Sequence, residues 1–89
     1  MEIKNKNILV IGGAGFIGSF VVKELLKENV DKVLIYDNFT RGKVEYLEYQ
    51  LKDDRCEIYP VGGDIRDVDI LNNAMKGMDY VICLSAMWL

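Results

Sequence analysis

The stretch Gly12-Gly13-Ala14-Gly15-Phe16-Ile17-Gly18 decides the fold of this 89-residue chain. Before it comes the continuous apolar run Asn7–Ile11, which predicts a β-strand that is buried on both faces. After it, apolar residues recur at helical spacing and predict an amphipathic helix over 16–29, with an apolar stripe formed by Ile17, Val21, Val22, Leu25 and Leu26. A glycine-rich turn between a buried strand and a helix indicates a phosphate-binding turn far more strongly than the glycines alone.

Two glycine patterns overlap in this turn, and both have the same mechanics. Gly13, Gly15 and Gly18 match G-x-G-x-x-G, whereas Gly12, Gly15 and Gly18 match G-x-x-G-x-x-G. The first glycine permits a tight turn, Gly15 lets a pyrophosphate approach the backbone, and Gly18 lets the helix approach the strand closely. The alternative is a glycine-rich turn that holds no ligand, and the flanking strand and helix disfavour it.

The residues around the turn indicate how a dinucleotide would be held. The N–H groups of Phe16 and Ile17 open the helix without intrahelical partners, so they point at a bound anion. Asp37 closes the second predicted strand, nineteen residues after Gly18, where dinucleotide folds place an acid on the adenosine ribose hydroxyls. Because a carboxylate repels a 2′-phosphate, NAD is favoured over NADP. The nearby Arg41 is the counterargument, since a guanidinium can pair with that phosphate.

The rest of the chain continues the alternation of strands and helices within one domain, residues 1–89. Further strands are predicted over 32–36, 56–61 and 80–84, with helices over 43–53 and between Asp67, as N-cap, and Gly77. The order βαβαβαβ predicts an α/β fold with a parallel sheet and right-handed crossovers. Four strands make up half of a doubly wound sheet, with the strand order 3-2-1-4.

Composition excludes several classes of function. Eleven basic and fourteen acidic residues give a net charge of −3, which argues against a nucleic-acid surface. No run approaches the ~18 apolar residues of a membrane span, and the start of the chain lacks a secretory hydrophobic region. We therefore expect a cytoplasmic location without a membrane partner. Because there is no histidine, a Cys/His zinc site and a Ser-His or Cys-His catalytic pair are excluded within these residues, and no metal site is predicted.

The two cysteines are predicted to be buried and unpaired. Cys56 and Cys83 both lie in apolar, strand-like runs, where a cysteine behaves as a small hydrophobic residue. The strand order 3-2-1-4 places them on opposite edges of the sheet, ~14 Å apart and beyond the ~7 Å limit for a disulfide.

Three segments in register resemble one known family. Residues 12–18, the segment 36–42 (YDNFTRG) and the segment 63–67 (GDIRD) are similar to the N-terminal half-domain of extended short-chain dehydrogenases/reductases. The nearest branch is that of the NAD-dependent nucleotide-sugar epimerases and dehydratases of the UDP-glucose 4-epimerase type. The resemblance covers essentially the whole chain, and it implies an enzyme that acts by transient hydride transfer on a nucleotide sugar.

The resemblance also implies a set of NAD-binding residues. Asp64 would accept from the adenine amino group while the Ile65 N–H donates to the ring. The segment Leu84-Ser85-Ala86 would lie beside the pyrophosphate and the nicotinamide ribose, although Cys83 stands where the family has histidine. The full implied set is Gly12, Gly15, Phe16, Ile17, Gly18, Asp37, Asn38, Thr40, Arg41, Gly42, Asp64, Ile65, Leu84, Ser85 and Ala86.

The acid/base motif of the family is missing from these 89 residues. Family members use the tyrosine of a Tyr-x-x-x-Lys motif, and none of the five tyrosines here is followed by a lysine four positions later. We therefore expect a cofactor-binding fragment with no catalytic residue of its own. The alternative is a non-catalytic NAD(P)-binding regulatory or redox-sensing module. With no fifth strand beside it, the fourth strand would be an apolar edge, so we also expect a homo-oligomer through this strand and the tail 87–89.

Overall fold

The computed structural model describes residues 2–84, which contain a four-stranded parallel sheet. The strands are β1 (Asn7–Ile11), β2 (Lys32–Tyr36), β3 (Cys56–Ile58) and β4 (Tyr80–Cys83), in the spatial order β3-β2-β1-β4. Each neighbouring pair is parallel. The predicted α/β fold class and strand order are confirmed.

Helices cover both faces of this sheet. Helix α1 (Phe16–Leu26) follows β1, and helix α2 (Val68–Met75) precedes β4. On one face, Ile8 and Val10 pack in a cluster with Val22 of α1. On the other face, Leu9 packs in a cluster with Ala74 of α2. Strand β1 is therefore buried from both sides, which explains why its sequence is continuously apolar rather than alternating.

Helix α1 is shorter than predicted, because an arginine caps its end. The predicted helix ran to residue 29, but the regular helix stops at Leu26. The Arg55 guanidinium donates to the carbonyl oxygens of Leu26, Glu28 and Val30, and these bonds satisfy the backbone where the chain leaves the helix.

The predicted helix over 43–53 is wrong. This segment forms two short 3₁₀ helices, Val44–Leu47 and Gln50–Lys52. Its backbone bonds connect residues three apart, as in Tyr46 N–H to Lys43 O at 3.1 Å. The apolar spacing of Val44 and Leu47 suits one 3₁₀ turn as well as an α-helix. The next inward position is Gln50, whose side-chain amide donates to Ser19 O at 2.8 Å.

The boundaries of the remaining elements differ from the prediction by a few residues. Strand β3 ends at Ile58 rather than 61, so Pro60 lies beyond the strand. Strand β4 ends at Cys83 rather than 84. Asp67 occupies the N-cap position of α2 as predicted, but its side chain forms no capping hydrogen bond. Gly77, with φ 77°, lies just beyond the end of α2 as predicted.

The two cysteines are free and lie on opposite edges of the sheet, as predicted. Cys56 on β3 is buried, but the prediction that Cys83 is also buried is wrong. Strand β4 is an edge strand whose burial alternates along the chain, and Cys83 falls on the exposed face. Across residues 2–84, no helix is long and apolar enough to cross a membrane.

Candidate functional site

A cavity of about 620 Å³ lies at the carboxyl end of the sheet. Segments that follow all four strands contribute to its wall, which is the usual place for a ligand in an open α/β sheet. Every predicted site residue within 2–84 lines it, while Ser85 and Ala86 lie outside the described residues. The lining residues are Gly12, Gly15, Phe16, Ile17, Gly18, Asp37, Asn38, Thr40, Arg41, Gly42, Gly63, Asp64, Ile65, Arg66 and Leu84.

The geometry of the glycine turn favours the pattern that begins at Gly12 over the one that begins at Gly13. Gly12 has φ 84°, a conformation that glycine adopts without strain. A Cβ on Gly18 would collide with the Gly12 carbonyl oxygen and lie 2.9 Å from Gly13 Cα. Gly18 therefore permits close packing of the helix on the turn itself. Gly13 instead faces the core, where a Cβ would meet the Ile35 side chain at 3.0 Å.

Gly15 leaves the floor of the cavity without a side chain. A Cβ there would have Gly12 O at 3.4 Å and no other neighbour within 4 Å, so the space above it is open. Helix α1 begins directly after Gly15, and its first intrahelical bond runs from Ser19 N–H to Gly15 O at 2.8 Å. The N–H groups of Phe16 and Ile17 therefore precede the helical ladder and are available to an anion.

Asp37 connects the end of β2 to the glycine turn. Its Oδ2 accepts from the Ala14 N–H at 3.0 Å, and its Oδ1 accepts from the Phe39 N–H at 2.7 Å. A carboxylate has about four acceptor positions, so these two bonds leave capacity for ligand hydroxyls. Asp37 thus has a structural role in addition to the binding role that the sequence predicts.

The segment after Asp37 folds back over the glycine turn. The Lys43 N–H donates to Ala14 O at 3.1 Å, and a Cβ on Gly42 would lie 2.8 Å from Ala14 Cβ. Within the segment, the Asn38 side chain accepts from the Thr40 N–H at 3.0 Å. These contacts explain why Gly42 is required, and they place Asn38 and Thr40 on the cavity wall.

The loop after β3 forms the opposite wall. Gly63 has φ 103° and packs directly against the backbone of Asp37, where a Cβ would collide with the Asp37 carbonyl group. Asp64 forms an ion pair with Arg66, and the two closest atoms are 2.6 Å apart. The hydrogen bonds from Arg66 hold the pKa of Asp64 at about 2, so the carboxyl is charged at neutral pH. The prediction of the site did not include Gly63 or Arg66, although both belong to the quoted 63–67 segment.

The model of the 3-beta hydroxysteroid dehydrogenase/isomerase family matches residues 9–88, nearly the whole chain. The chain belongs to this family. The matched range includes the glycine turn, Asp37 and the 63–67 loop.

Relatives of this dehydrogenase/isomerase family member include nucleotide-sugar enzymes. It is 46% identical over 79 residues to UDP-glucose 4-epimerase of Neisseria meningitidis, an alignment that covers 86% of this chain and 23% of the epimerase. It is 36% identical over 84 residues to the inverting UDP-N-acetylglucosamine 4,6-dehydratase of Campylobacter jejuni, covering 92% of this chain and 24% of the dehydratase. The chain thus spans about a quarter of the length of these curated relatives.

Solved structures agree with this assignment. The Bordetella bronchiseptica enzyme WbmF in complex with NAD+ superposes with a TM-score of 0.80 at 29% identity, covering 98% of this chain and 25% of that chain. The same enzyme has also been solved with NAD+ and UDP, with a TM-score of 0.78. The predicted resemblance to short-chain dehydrogenases/reductases of the UDP-glucose 4-epimerase type is confirmed.

The cavity of this family member offers several groups that can hold a polar ligand. Its floor at Gly15 is open, the first N–H groups of α1 have no intrahelical partner, and two carboxylates lie on opposite walls. Within residues 2–84, no group of three or more histidine, cysteine, aspartate or glutamate side chains could hold a metal.

Proposed function

We propose that this cavity binds NAD, and that the chain supplies the NAD-binding part of a nucleotide-sugar epimerase or dehydratase. The observation that carries the proposal is the arrangement around Gly15, where a floor without side chains meets the start of α1 directly below Asp37. The NAD complex of WbmF and the identity to epimerases and dehydratases support it.

In this proposal the glycine turn holds the pyrophosphate. The N–H groups of Phe16 and Ile17 donate to phosphate oxygens, and the positive end of the α1 dipole favours the negative charge. The absence of a side chain at Gly15 lets the phosphates reach these donors. Gly12 and Gly18 shape the turn beneath them.

The two carboxylates hold the adenosine. Asp37 accepts from the ribose hydroxyls with the acceptor positions that Ala14 and Phe39 leave open. Asp64 accepts from the exocyclic amino group of adenine, and the Ile65 N–H donates to the ring. The loop residues Asn38, Thr40, Arg41 and Gly42 enclose the ribose side, and Leu84 lines the side expected to hold the nicotinamide. Ser85 and Ala86, which the family resemblance implies for the same role, lie outside the described residues.

When bound, NAD would supply hydride transfer to and from a nucleotide sugar. The residues of this chain bind and orient the cofactor, but none of its tyrosines carries the Tyr-x-x-x-Lys spacing of an acid/base group. We therefore expect no epimerase or dehydratase turnover of UDP-glucose by the purified 89-residue chain. Turnover that persists after removal of host enzymes would contradict this part of the proposal.

Calorimetry with NAD and NADP tests the cofactor assignment. The chain should bind NAD at least about tenfold more tightly than NADP, or ~1.4 kcal/mol, because Asp37 faces the added 2′-phosphate. Asp37→Ala should weaken NAD binding by about 1–3 kcal/mol. Asp31→Ala, which removes an exposed carboxylate before β2, serves as the matched control and should leave NAD binding unchanged. Equal or tighter binding of NADP would overturn the assignment.

The edge strand β4 supports a proposed homo-oligomer. Val81 is 41% exposed and Leu84 is 39% exposed, so an apolar strand borders solvent without the charges that protect most edges. Light scattering after size exclusion should show a dimer or larger assembly. Val81→Lys should convert it to monomer, whereas Val68→Lys on the exposed face of α2 should not. A monomeric wild-type chain would refute this proposal. The tail 87–89, also predicted to take part, lies outside the described residues.

The cytoplasmic location expected from the sequence stays a prediction. Fractionation of the source cells with an antibody against the chain would test the location.

A further inference from the structure

Asp64 is fixed at its backbone and at its side chain by different partners. Its carbonyl oxygen accepts from the hydroxyl of the buried Tyr36 and from the Asp67 N–H, each at 3.1 Å. The backbone at Asp64 is therefore anchored to the sheet and to the turn before α2. Its carboxylate has separate hydrogen bonds, and all of those found within residues 2–84 come from Arg66.

Arg66 holds both oxygens of that carboxylate. Its backbone N–H donates to Asp64 Oδ1 at 2.8 Å, and its Nη2 donates to Oδ2 at 2.6 Å. Its Nε lies between them, at 3.0 Å from Oδ1 and 3.1 Å from Oδ2. This side-on fork fixes the plane of the carboxylate with three N–H donors, one of them shared between the two oxygens. About one of the roughly four acceptor positions of the carboxylate therefore stays open to a ligand.

The two partners differ in their exposure at the cavity. The Asp64 side chain is 22% exposed and the Arg66 side chain is 72% exposed, and both residues line the cavity. Asp64 thus forms part of the cavity wall, and Arg66 holds the Asp64 carboxylate from the solvent-exposed edge of the cavity. Because its Nε and Nη2 donate to Asp64, Arg66 is placed to orient that carboxylate.

We propose that Arg66 is a positioning residue that holds the Asp64 carboxylate so that the cavity selects adenine over a purine bearing a carbonyl at the same position. This inference rests on the proposed binding of NAD. A fixed, charged carboxylate can only accept hydrogen bonds, so it matches the amino group of adenine and repels the carbonyl oxygen of hypoxanthine. Without Arg66, the Asp64 carboxylate can rotate away from the hypoxanthine oxygen. The preference for adenine over hypoxanthine then falls.

Calorimetry with NAD and with nicotinamide hypoxanthine dinucleotide tests the inference. We expect the wild-type chain to prefer NAD, and Arg66→Met to lower that preference about three- to tenfold, the usual effect of having to order one side chain on binding. Arg66→Lys should restore part of the preference. Arg66→Met also removes one positive charge near an anionic ligand, which should weaken the binding of both dinucleotides alike. The ratio of the two affinities cancels this shared effect. Lys4→Met, at the opposite end of β1, is the matched charge control and should leave the ratio unchanged.

A carboxyl-detected NMR titration of the ligand-free chain gives an independent readout. Arg66→Met should raise the pKa of Asp64 from about 2 toward its ordinary value of 3.8. An unchanged preference for NAD in Arg66→Met, or an unchanged Asp64 titration, would overturn the role of Arg66 while leaving NAD binding intact. A wild-type chain that binds neither dinucleotide would instead overturn the proposed function.

Discussion

Asp37 Oδ2 accepts a hydrogen bond from the Ala14 N–H at 3.0 Å, which fastens the glycine turn to the end of β2. The Ala14 carbonyl oxygen in turn accepts from the Lys43 N–H at 3.1 Å. Both backbone polar groups of Ala14 are thus bonded to the segment that follows β2. The shape of the anion site therefore depends on a residue that the sequence predicts to act on the ribose.

The first prediction is that Asp37→Ala destabilises the ligand-free chain. The substitution leaves the N–H groups of Ala14 and Phe39 without their acceptor, so the free energy of unfolding should fall by about 1–3 kcal/mol. Urea denaturation without nucleotide measures this. Asp31→Ala is the control and should stay within ~0.5 kcal/mol of wild type. If both variants match wild type, the bond to Ala14 contributes nothing to stability.

The second prediction separates two glycines of the same turn. Gly15→Ala should fold normally, because its Cβ meets Gly12 O alone, at 3.4 Å, yet its NAD affinity should fall at least about tenfold as the methyl group blocks the phosphates. Gly18→Ala should lose about 1–3 kcal/mol of stability, because its Cβ collides with Gly12 O. Thermal denaturation and calorimetry on both variants provide the comparison. A Gly18→Ala chain as stable as Gly15→Ala would contradict the packing described here.

The third prediction concerns the cap on α1. Arg55→Met keeps the aliphatic stem but removes the donors to Leu26, Glu28 and Val30, so stability should fall by about 1–3 kcal/mol. Lys27→Met removes an exposed cation paired with Glu24 and should cost less than ~1 kcal/mol. Chemical denaturation of the two variants side by side measures the difference. Similar losses in both would show that Arg55 acts as an ordinary surface charge.

The fourth prediction is a loss of stability in acid. Hydrogen bonds from Arg55 hold the pKa of Asp53 at about 2, below its ordinary value of 3.8. A carboxyl with a lowered folded-state pKa adds stability above its unfolded-state pKa, and this stability is lost as the pH falls toward the folded-state pKa. The free energy of unfolding should therefore decline from about pH 4 to about pH 2, less steeply in Asp53→Asn. If the free energy of unfolding of Asp53→Asn declined with the same slope between these pH values, the role given to Asp53 would be contradicted. Asp64, whose pKa is also about 2, accounts for part of the remaining slope.

The fifth prediction distinguishes the two thiols. Burial raises the pKa of Cys56 to about 11, whereas Cys83 lies exposed on the edge strand. Under native conditions near pH 8, an alkylating reagent should modify Cys83 of the Val81→Lys chain, in which no second copy covers β4, rapidly and Cys56 slowly, because the thiolate is the reactive form. Mass spectrometry of the digested chain assigns the sites. Modification of both at equal rates would show that β3 is open to solvent.

Continuous apolar runs predicted the centre of the sheet correctly, and the outer elements less well. Strands β1 and β2 have the predicted bounds because both of their faces are buried, so the pattern has no ambiguity. The segment 43–53 was misassigned because the spacing of Val44 and Leu47 fits two kinds of helix. Tertiary bonds at Lys43 and Gln50 decide between them, and these bonds depend on residues distant in sequence.

The cavity was predicted well because its walls are made by short motifs. Gly12 and Gly15 act through local backbone shape, and the Asp37 carboxylate follows a predicted strand, so sequence spacing reveals all three. Arg66 and Arg55 were missed for a different reason. Each acts on a neighbour through its side-chain donors, and a single arginine in a polar loop has no pattern that distinguishes it from a solvated charge.

The pairing of β1 with both β2 and β4 fixes the order in which the cavity can be completed during synthesis on the ribosome. Lys32, the partner of Asn7 on β2, is synthesised long before Tyr80, the partner of Ile8 on β4. The last of these bonds joins Leu84 N–H to Ile11 O at 2.8 Å, directly beside Gly12. In a nascent chain, the glycine turn and Asp37 are therefore synthesised well before β4 and Leu84 can take their place beside them.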